Sequence, residues 1–128
     1  MFQKIDCVRI HVSSVDAALA FYQEKLGLEL AWRRGESEAG LKLQNSDTEL
    51  VLVREELEHA EVDVLVRKVD QDARDFQNKG GKIVVKPFDI PVGRCAVVQD
   101  PWNNEFALLD LSKGLLKTDS KNNVISPS

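Results

Sequence analysis

The stretch Cys7-Val8-Arg9-Ile10-His11-Val12-Ser13-Ser14-Val15-Asp16-Ala17-Ala18-Leu19-Ala20-Phe21-Tyr22-Gln23-Glu24-Lys25-Leu26-Gly27-Leu28 changes its hydrophobic period part-way along. Over Cys7–Val12 polar and apolar residues alternate, the period of a half-buried strand. From there Val15, Leu19, Tyr22 and Leu26 recur at i, i+4, i+7 and i+11, which puts them on one face of a helix. Ser13, with Asp16 three residues later, is expected to start that helix, because a serine oxygen can accept its orphan amide protons. Lys25 in the last turn and Gly27 just beyond close it.

The same unit is written twice. Shifted by 54 positions, Val12–Gly27 falls over Val66–Gly81 with six identities in sixteen positions, and Tyr22 falls over Phe76. Unrelated segments would share about one. The second unit reads as a strand over Val62–Val66 and a helix with Val69, Ala73 and Phe76 on one face, ending at Lys79-Gly80-Gly81; it lacks a good N-cap. Three short strands are expected after each helix. In the first unit they fall at Leu28–Arg34, Leu41–Gln44 and Glu49–Val53. In the second they fall at Ile83–Phe88, Cys95–Gln99 and Glu105–Asp110, with turns at Asn45-Ser46-Asp47, Pro91-Val92-Gly93 and Asp100–Asn104. The fold class is therefore α+β: two tandem βαβββ modules (residues 1–54 and 61–111) of one domain, 1–111, joined near Glu55–Ala60. The tail, 112–128, is polar apart from Leu115-Leu116 and Val124-Ile125, and is expected to be mobile or to dock on a partner subunit.

Composition narrows the function. The 128 residues are 43% hydrophobic and 30% charged, with a formal charge of −4. That is an ordinary globular composition, and with no clustered basic face it argues against nucleic acid as the main partner. Cys7 and Cys95 are too few for a disulfide framework. Met1–Asp6 does not read as a signal peptide, and no apolar run approaches the ~20 residues of a membrane span. A cytoplasmic location and no membrane partner are the expectation.

A paired βαβββ unit whose first helix ends in Phe21-Tyr22, then Leu26-Gly27-Leu28, resembles the vicinal oxygen chelate superfamily, which includes glyoxalase I, bleomycin-binding proteins, extradiol dioxygenases and fosfomycin-resistance enzymes. Asp100-Pro101-Trp102-Asn103-Asn104 is similar to its Asp-Pro-x-Gly-Asn turn, with Asn103 in place of glycine; asparagine also tolerates φ > 0. The resemblance, over Phe2–Leu111, implies a curved mixed-sheet cup, a small-molecule ligand, and a homodimer burying on the order of 1,200–2,000 Å². In metal-using relatives four ligands come from the first and last strands of each unit. Carried onto this chain, those places fall at Cys7, Val51, Glu61 and Ala107. A thiol, a carboxylate and two hydrocarbon side chains do not make the three or more N, O or S donors a divalent ion needs. No metal cofactor is expected on this basis; the alternative is Zn, Ni, Mn or Fe on a shifted set of His11, Glu61 and Glu105.

Strand alternation places Cys7, Arg9 and His11, then Glu61 and Asp63, then Glu49 and Val51, then Glu105 and Ala107 in the cup, with Trp102 as a stacking surface in the turn before the last strand. Each has a plainer reading. His11 is a general base or a satisfied polar residue. Arg9 anchors a ligand carboxylate or pairs with Asp63 or Glu61. Glu61 and Glu105 attract a cation or are solvated at the rim. Cys7 is a small buried hydrophobe rather than a nucleophile. Trp32 is read as a core or interface residue, and a two-residue slip of the Glu61 strand would bring His59 to the third ligand position. The expected function is a metal-independent small-molecule-binding protein, such as one that sequesters a toxin or antibiotic. The alternatives are a metal-dependent lyase, isomerase or dioxygenase, and a structural or regulatory dimer with a degenerate cup.

Overall fold

The computed structural model describes residues 1–59 and 61–126. Ala60 of the expected inter-module segment, and Pro127 and Ser128 of the tail, lie outside them. Strands β1 (Lys4–His11), β2 (Glu29–Arg34), β3 (Glu38–Leu43) and β4 (Ser46–Val53) form the first module, with helix α1 (Val15–Leu19) between β1 and β2. Strands β5 (Val62–Leu65), β6 (Lys82–Ile90), β7 (Gly93–Gln99) and β8 (Glu105–Leu109) form the second, with helix α2 (Val69–Asn78) after β5. One eight-stranded sheet results, in the order β2-β3-β4-β1-β5-β8-β7-β6. Its two halves meet where β1 and β5 run antiparallel, and within each half the first and last strands are parallel. The two βαβββ modules thus pair within one chain.

Both helices cover the same face. Ile10, Val12, Leu50 and Leu52 pack with Val15 and Leu19, while Val64, Val66 and Leu108 pack with Val69 and Ala73. Leu41, Leu52 and Leu108 are among the fully buried side chains, each worth about 2 kcal/mol as apolar area removed from water. The odd-numbered set on β1 and β4 faces the other way, as the alternation of pleated strands requires. There Cys7, Val51 and Val53 form a small separate cluster with Trp32 and Leu57.

Local signals placed most boundaries within two or three residues. Asn103 takes φ 70°, so the Asp100 turn survives without glycine, and the Asp100 carboxylate ties it by accepting from the amides of Trp102 and Asn104. Three local readings change. The cap of α1 is Ser14, whose Oγ accepts from Ala17 N at 3.1 Å, not Ser13. After Leu19 the helix widens to a π-helical turn over Ala20–Lys25, which ends at Leu26 and Gly27 with φ 80°. The tail does not hang free. Strands β9 (Lys117–Thr118) and β10 (Val124–Ser126) pair with each other, Arg33 N donates to Asn122 O at 2.7 Å, and Asn122 Nδ2 donates to Leu30 O. The tail is pinned to β2, an edge strand whose unpaired backbone groups are available to it.

Candidate functional site

The face of the sheet opposite the helices carries a cup of two lobes that share Arg9, Glu38, Phe88 and Cys95. The larger, about 720 Å³, spans both modules, from Trp32 and Glu49 to Phe88, Ile90 and Val92; the smaller, about 580 Å³, runs under the Glu55–His59 segment. Strand register arranges its floor. Cys7 stands beside Glu49 on β4 and beside Asp63 on β5, so the three share one face. A bulge between Ile5 and Cys7 inserts one extra residue, Asp6, and a bulge lets two neighbours turn to the same side. Lys4, Asp6 and Cys7 therefore all line the larger lobe.

At the junction the Cys7 thiol donates to Asp63 Oδ2 at 3.3 Å, while Asp63 Oδ1 is buried with no partner among the described residues. Burial raises the Asp63 carboxyl to about 6 against the opposing pull of Arg9. Burial, then the neighbouring Asp63, pushes the Cys7 thiol far above its ordinary value, and burial lifts Cys95 to about 12. Neither cysteine supplies a thiolate at neutral pH. Burial also raises Asp6 and Glu49, partly offset by Lys4 and by the Trp32 hydrogen bond respectively. Among the described residues Arg9 forms no ion pair, with Asp63 or with Glu61; it meets Glu61 only through its backbone amide, which donates to Glu61 O at 2.7 Å.

Trp32 lines the larger lobe and packs against the Cys7, Val51 and Val53 cluster. Its indole lies across Gly40, where a Cβ would stand 2.1 Å from Nε1, and Nε1 donates to Glu49 Oε1 at 2.7 Å. Gly40→Ala is expected to lift the ring off β3 and break that bond. In a Trp102→Phe background, which leaves Trp32 as the sole fluorophore of its kind, emission should shift to the red. Unchanged emission would mean that the indole has another resting place.

Of the side chains expected in the cup, Cys7, Arg9, Glu49, Val51 and Asp63 line the larger lobe, and Arg9 and Ala107 line the smaller. Four lie elsewhere. Trp102 is 78% exposed on its turn. His11 is exposed at the end of β1, Nδ1 within 3.1 Å of Glu55 O. Glu61 is exposed, and Glu105 engages His59 Nδ1 at 3.3 Å. The alternative metal set of His11, Glu61 and Glu105 is therefore not assembled, and no group of three His, Cys, Asp or Glu among the described residues is placed to hold an ion. The register pairs Arg9 with Val51 and Asp63 with Ala107, so positions 51 and 107 are equivalent in the two modules, at an offset of 56 residues, two more than the 54 of the strand–helix segment. His59 stays outside the third ligand position.

The family model of the Glyoxalase/Bleomycin resistance protein/Dioxygenase superfamily matches residues 4–108. The chain belongs to that superfamily. Among solved structures it is similar to methylmalonyl-CoA epimerase from Mycobacterium tuberculosis, at 18% identity over 87% of this chain and 89% of that one, TM-score 0.71. It is similar to methylmalonyl-CoA epimerase from Streptomyces coelicolor in complex with 2-nitronate-propionyl-CoA, at 19% identity over 88% and 99%, TM-score 0.70. A structure described as NAD-dependent benzaldehyde dehydrogenase from Legionella pneumophila follows at 22% identity over 83% and 98%, TM-score 0.66. These likenesses are of fold. No curated protein matches the chain in sequence. No helix among the described residues is long and apolar enough to cross a membrane.

Within this superfamily member, the four places that the resemblance assigns to metal ligands hold Cys7, Val51, Glu61 and Ala107. Val51 and Ala107 have no donor atom, the Cys7 thiol is held protonated by burial, and the Glu61 side chain is exposed. This donor set does not fit a divalent ion at those places.

Proposed function

We propose that this superfamily member is a small-molecule-binding protein whose cup works without a divalent ion at the inherited positions. The observation that carries the reading is Arg9. It is a permanently charged, half-buried guanidinium at the wall common to both lobes, with no ion-pair partner among the described residues. Its field reaches the Asp63 carboxylate, but no ion pair occupies its planar donor edge, which is left for a ligand in the cup. The protonated cysteines support binding over covalent chemistry. Sequestration, in which the bound molecule leaves unchanged, asks nothing more of these residues. Both cysteines are free, which suits a reducing, cytoplasmic setting.

The test has two arms. Elemental analysis of protein purified without chelator is expected to show no stoichiometric Zn, Ni, Mn or Fe, and one ion per chain would overturn the metal-independent reading. In a thermal-shift screen of small organic molecules, a ligand at 100 times its Kd is expected to add about 2.7 kcal/mol. Arg9→Ala should abolish that shift and leave the free protein's midpoint nearly unchanged. Loss of the fold in Arg9→Ala would assign the residue to structure instead.

A further inference from the structure

Resting on that reading, the register specifies what the larger lobe is shaped to hold. Trp32 on β2, Gly40 on β3, Val51 on β4 and Arg9 on β1 are successive cross-strand neighbours. Adjacent strands lie ~4.8 Å apart, so roughly 10 Å of floor separates β3 from β1. Gly40 has no side chain, and the Trp32 indole folds over it, anchored by Glu49. What remains is a trough with an aromatic ring at one end, Val51 beneath, and the Arg9 guanidinium at the other.

A second wall comes from the tail, beyond the residues that the family model matches. Leu115 and Leu116 line the same lobe. The segment is fastened at both sides. On the second module Lys113 N donates to Val92 O at 2.9 Å and Lys113 Nζ to Asp89 Oδ1 at 3.0 Å. On the first module Asn122 holds β2. The strap spans the cup between the two attachments and brings two leucines to it. Leu115 is 68% exposed, an apolar surface waiting for cover.

The charges of the lobe decide the polarity of its occupant. Five carboxylates line it. Glu49 already accepts from Trp32, Asp47 pairs with Lys4, and Asp63 accepts from Cys7 through Oδ2 alone, its Oδ1 being without a partner among the described residues. Glu38 stands cross-strand from Arg34, and Asp6 shares the lobe with Lys4 two residues before it. Among the cations Lys42 is taken by Glu29. The inner end of the trough is left with Arg9, whose planar donor edge matches an oxyanion with two oxygens.

We infer that the trough binds an organic anion with a flat apolar body: its carboxylate on the Arg9 fork, its body over Val51 against Trp32, and the Leu115–Leu116 strap across it.

Displacement of a neutral fluorescent reporter, phenylnaphthylamine, from the full chain tests this. The competitors are naphthoate and naphthamide, which share one ring system and differ in charge. Naphthoate is expected to displace the reporter at roughly ten-fold lower concentration or better. Arg9→Gln should erase that preference, with naphthoate falling to the level of naphthamide, and Arg9→Lys, which keeps the charge but not the fork, should fall between. Leu115→Ser with Leu116→Ser should weaken reporter and naphthoate alike. Equal displacement by the two competitors on the unsubstituted protein overturns the anion inference and leaves the binding cup standing. A naphthoate preference that persists in Arg9→Gln also overturns it. If the reporter does not bind at all, this inference falls, while the function proposed above is decided by its own thermal-shift screen; because the decisive comparison uses the unsubstituted chain, an unfolded variant does not block it.

Discussion

Asp110→Ala is expected to lower the unfolding midpoint by roughly 10 °C, a loss of about 3 kcal/mol. Asp110 is 4% exposed and sits just past β8. Its Oδ2 accepts from Val69 N at 3.0 Å, the first residue of α2, which has no side-chain cap of its own. Its Oδ1 accepts from Arg94 N at 3.0 Å and from Ser112 N and Oγ at 3.2 and 2.8 Å. One carboxylate therefore caps a helix, joins β7 to β8 and starts the tail. Gly93 leaves room for it: a Cβ there would stand 2.3 Å from both Asp110 O and Oδ1. Truncation strands the buried Val69 amide proton and the part-buried one of Arg94, each costing about 1–3 kcal/mol if unmet. Burial alone would raise this carboxyl, but the hydrogen bonds outweigh it and hold it below 3.8. Its stabilisation is therefore complete above the unfolded value and is lost as pH falls through the lower folded one. Urea unfolding at pH 7 and pH 3 measures both effects. A change under about 1 kcal/mol at pH 7 would mean that water caps α2 as well as Asp110 does.

Asp63→Asn has the opposite sign. The folded carboxyl titrates near 6 and the unfolded one near 3.8, so the fold prefers the protonated form. Ionised Asp63 costs nothing below the unfolded value, and its cost is complete once pH has passed the folded one. Two pKa units correspond to about 2–3 kcal/mol. The variant is expected to be more stable than the parent by about that amount at pH 8, with the gap closing towards pH 4. Asparagine can still accept from the Cys7 thiol through its amide oxygen, so the substitution removes charge with little loss of contact. Paired urea titrations across this range are the measurement. A variant less stable than its parent at pH 8 would show that Arg9 stabilises the ionised carboxylate more than burial penalises it.

Much of the fold was readable residue by residue because its signals are short-range. Period-two alternation in Cys7–Val12, the Leu19 and Tyr22 spacing, Gly27 and the Asn103 turn each depend on neighbours within a few positions. The 54-residue repeat then supplied the architecture, since equal segments fold into equal modules. The candidate site was readable in part. Cys7, Arg9, Glu49, Val51 and Asp63 follow from alternation alone, whereas Asp6 does not, because one bulge reverses its side. His11, Glu61 and Glu105 were placed in the cup by the same alternation and Trp102 by its turn before the last strand, and none of the four lines either lobe. They stand at strand ends and turns, where the pleat no longer dictates direction. Trp32 is recognisable as a cup residue only when Gly40 is known to lie beside it.

By itself, then, the sequence determined the two modules, the elements in each, and the absence of donor atoms at positions 51 and 107. The tertiary structure alone decided that the modules join through β1 and β5 of one chain, that Asp110 caps a helix forty-one residues earlier, and that the tail crosses to β2 to help enclose the cup. The physical reason is range. Alternation and helical period are set by the local backbone, whereas Asn122 meets Leu30 across a separation of 92 residues, and only the assembled sheet brings such groups within hydrogen-bonding distance.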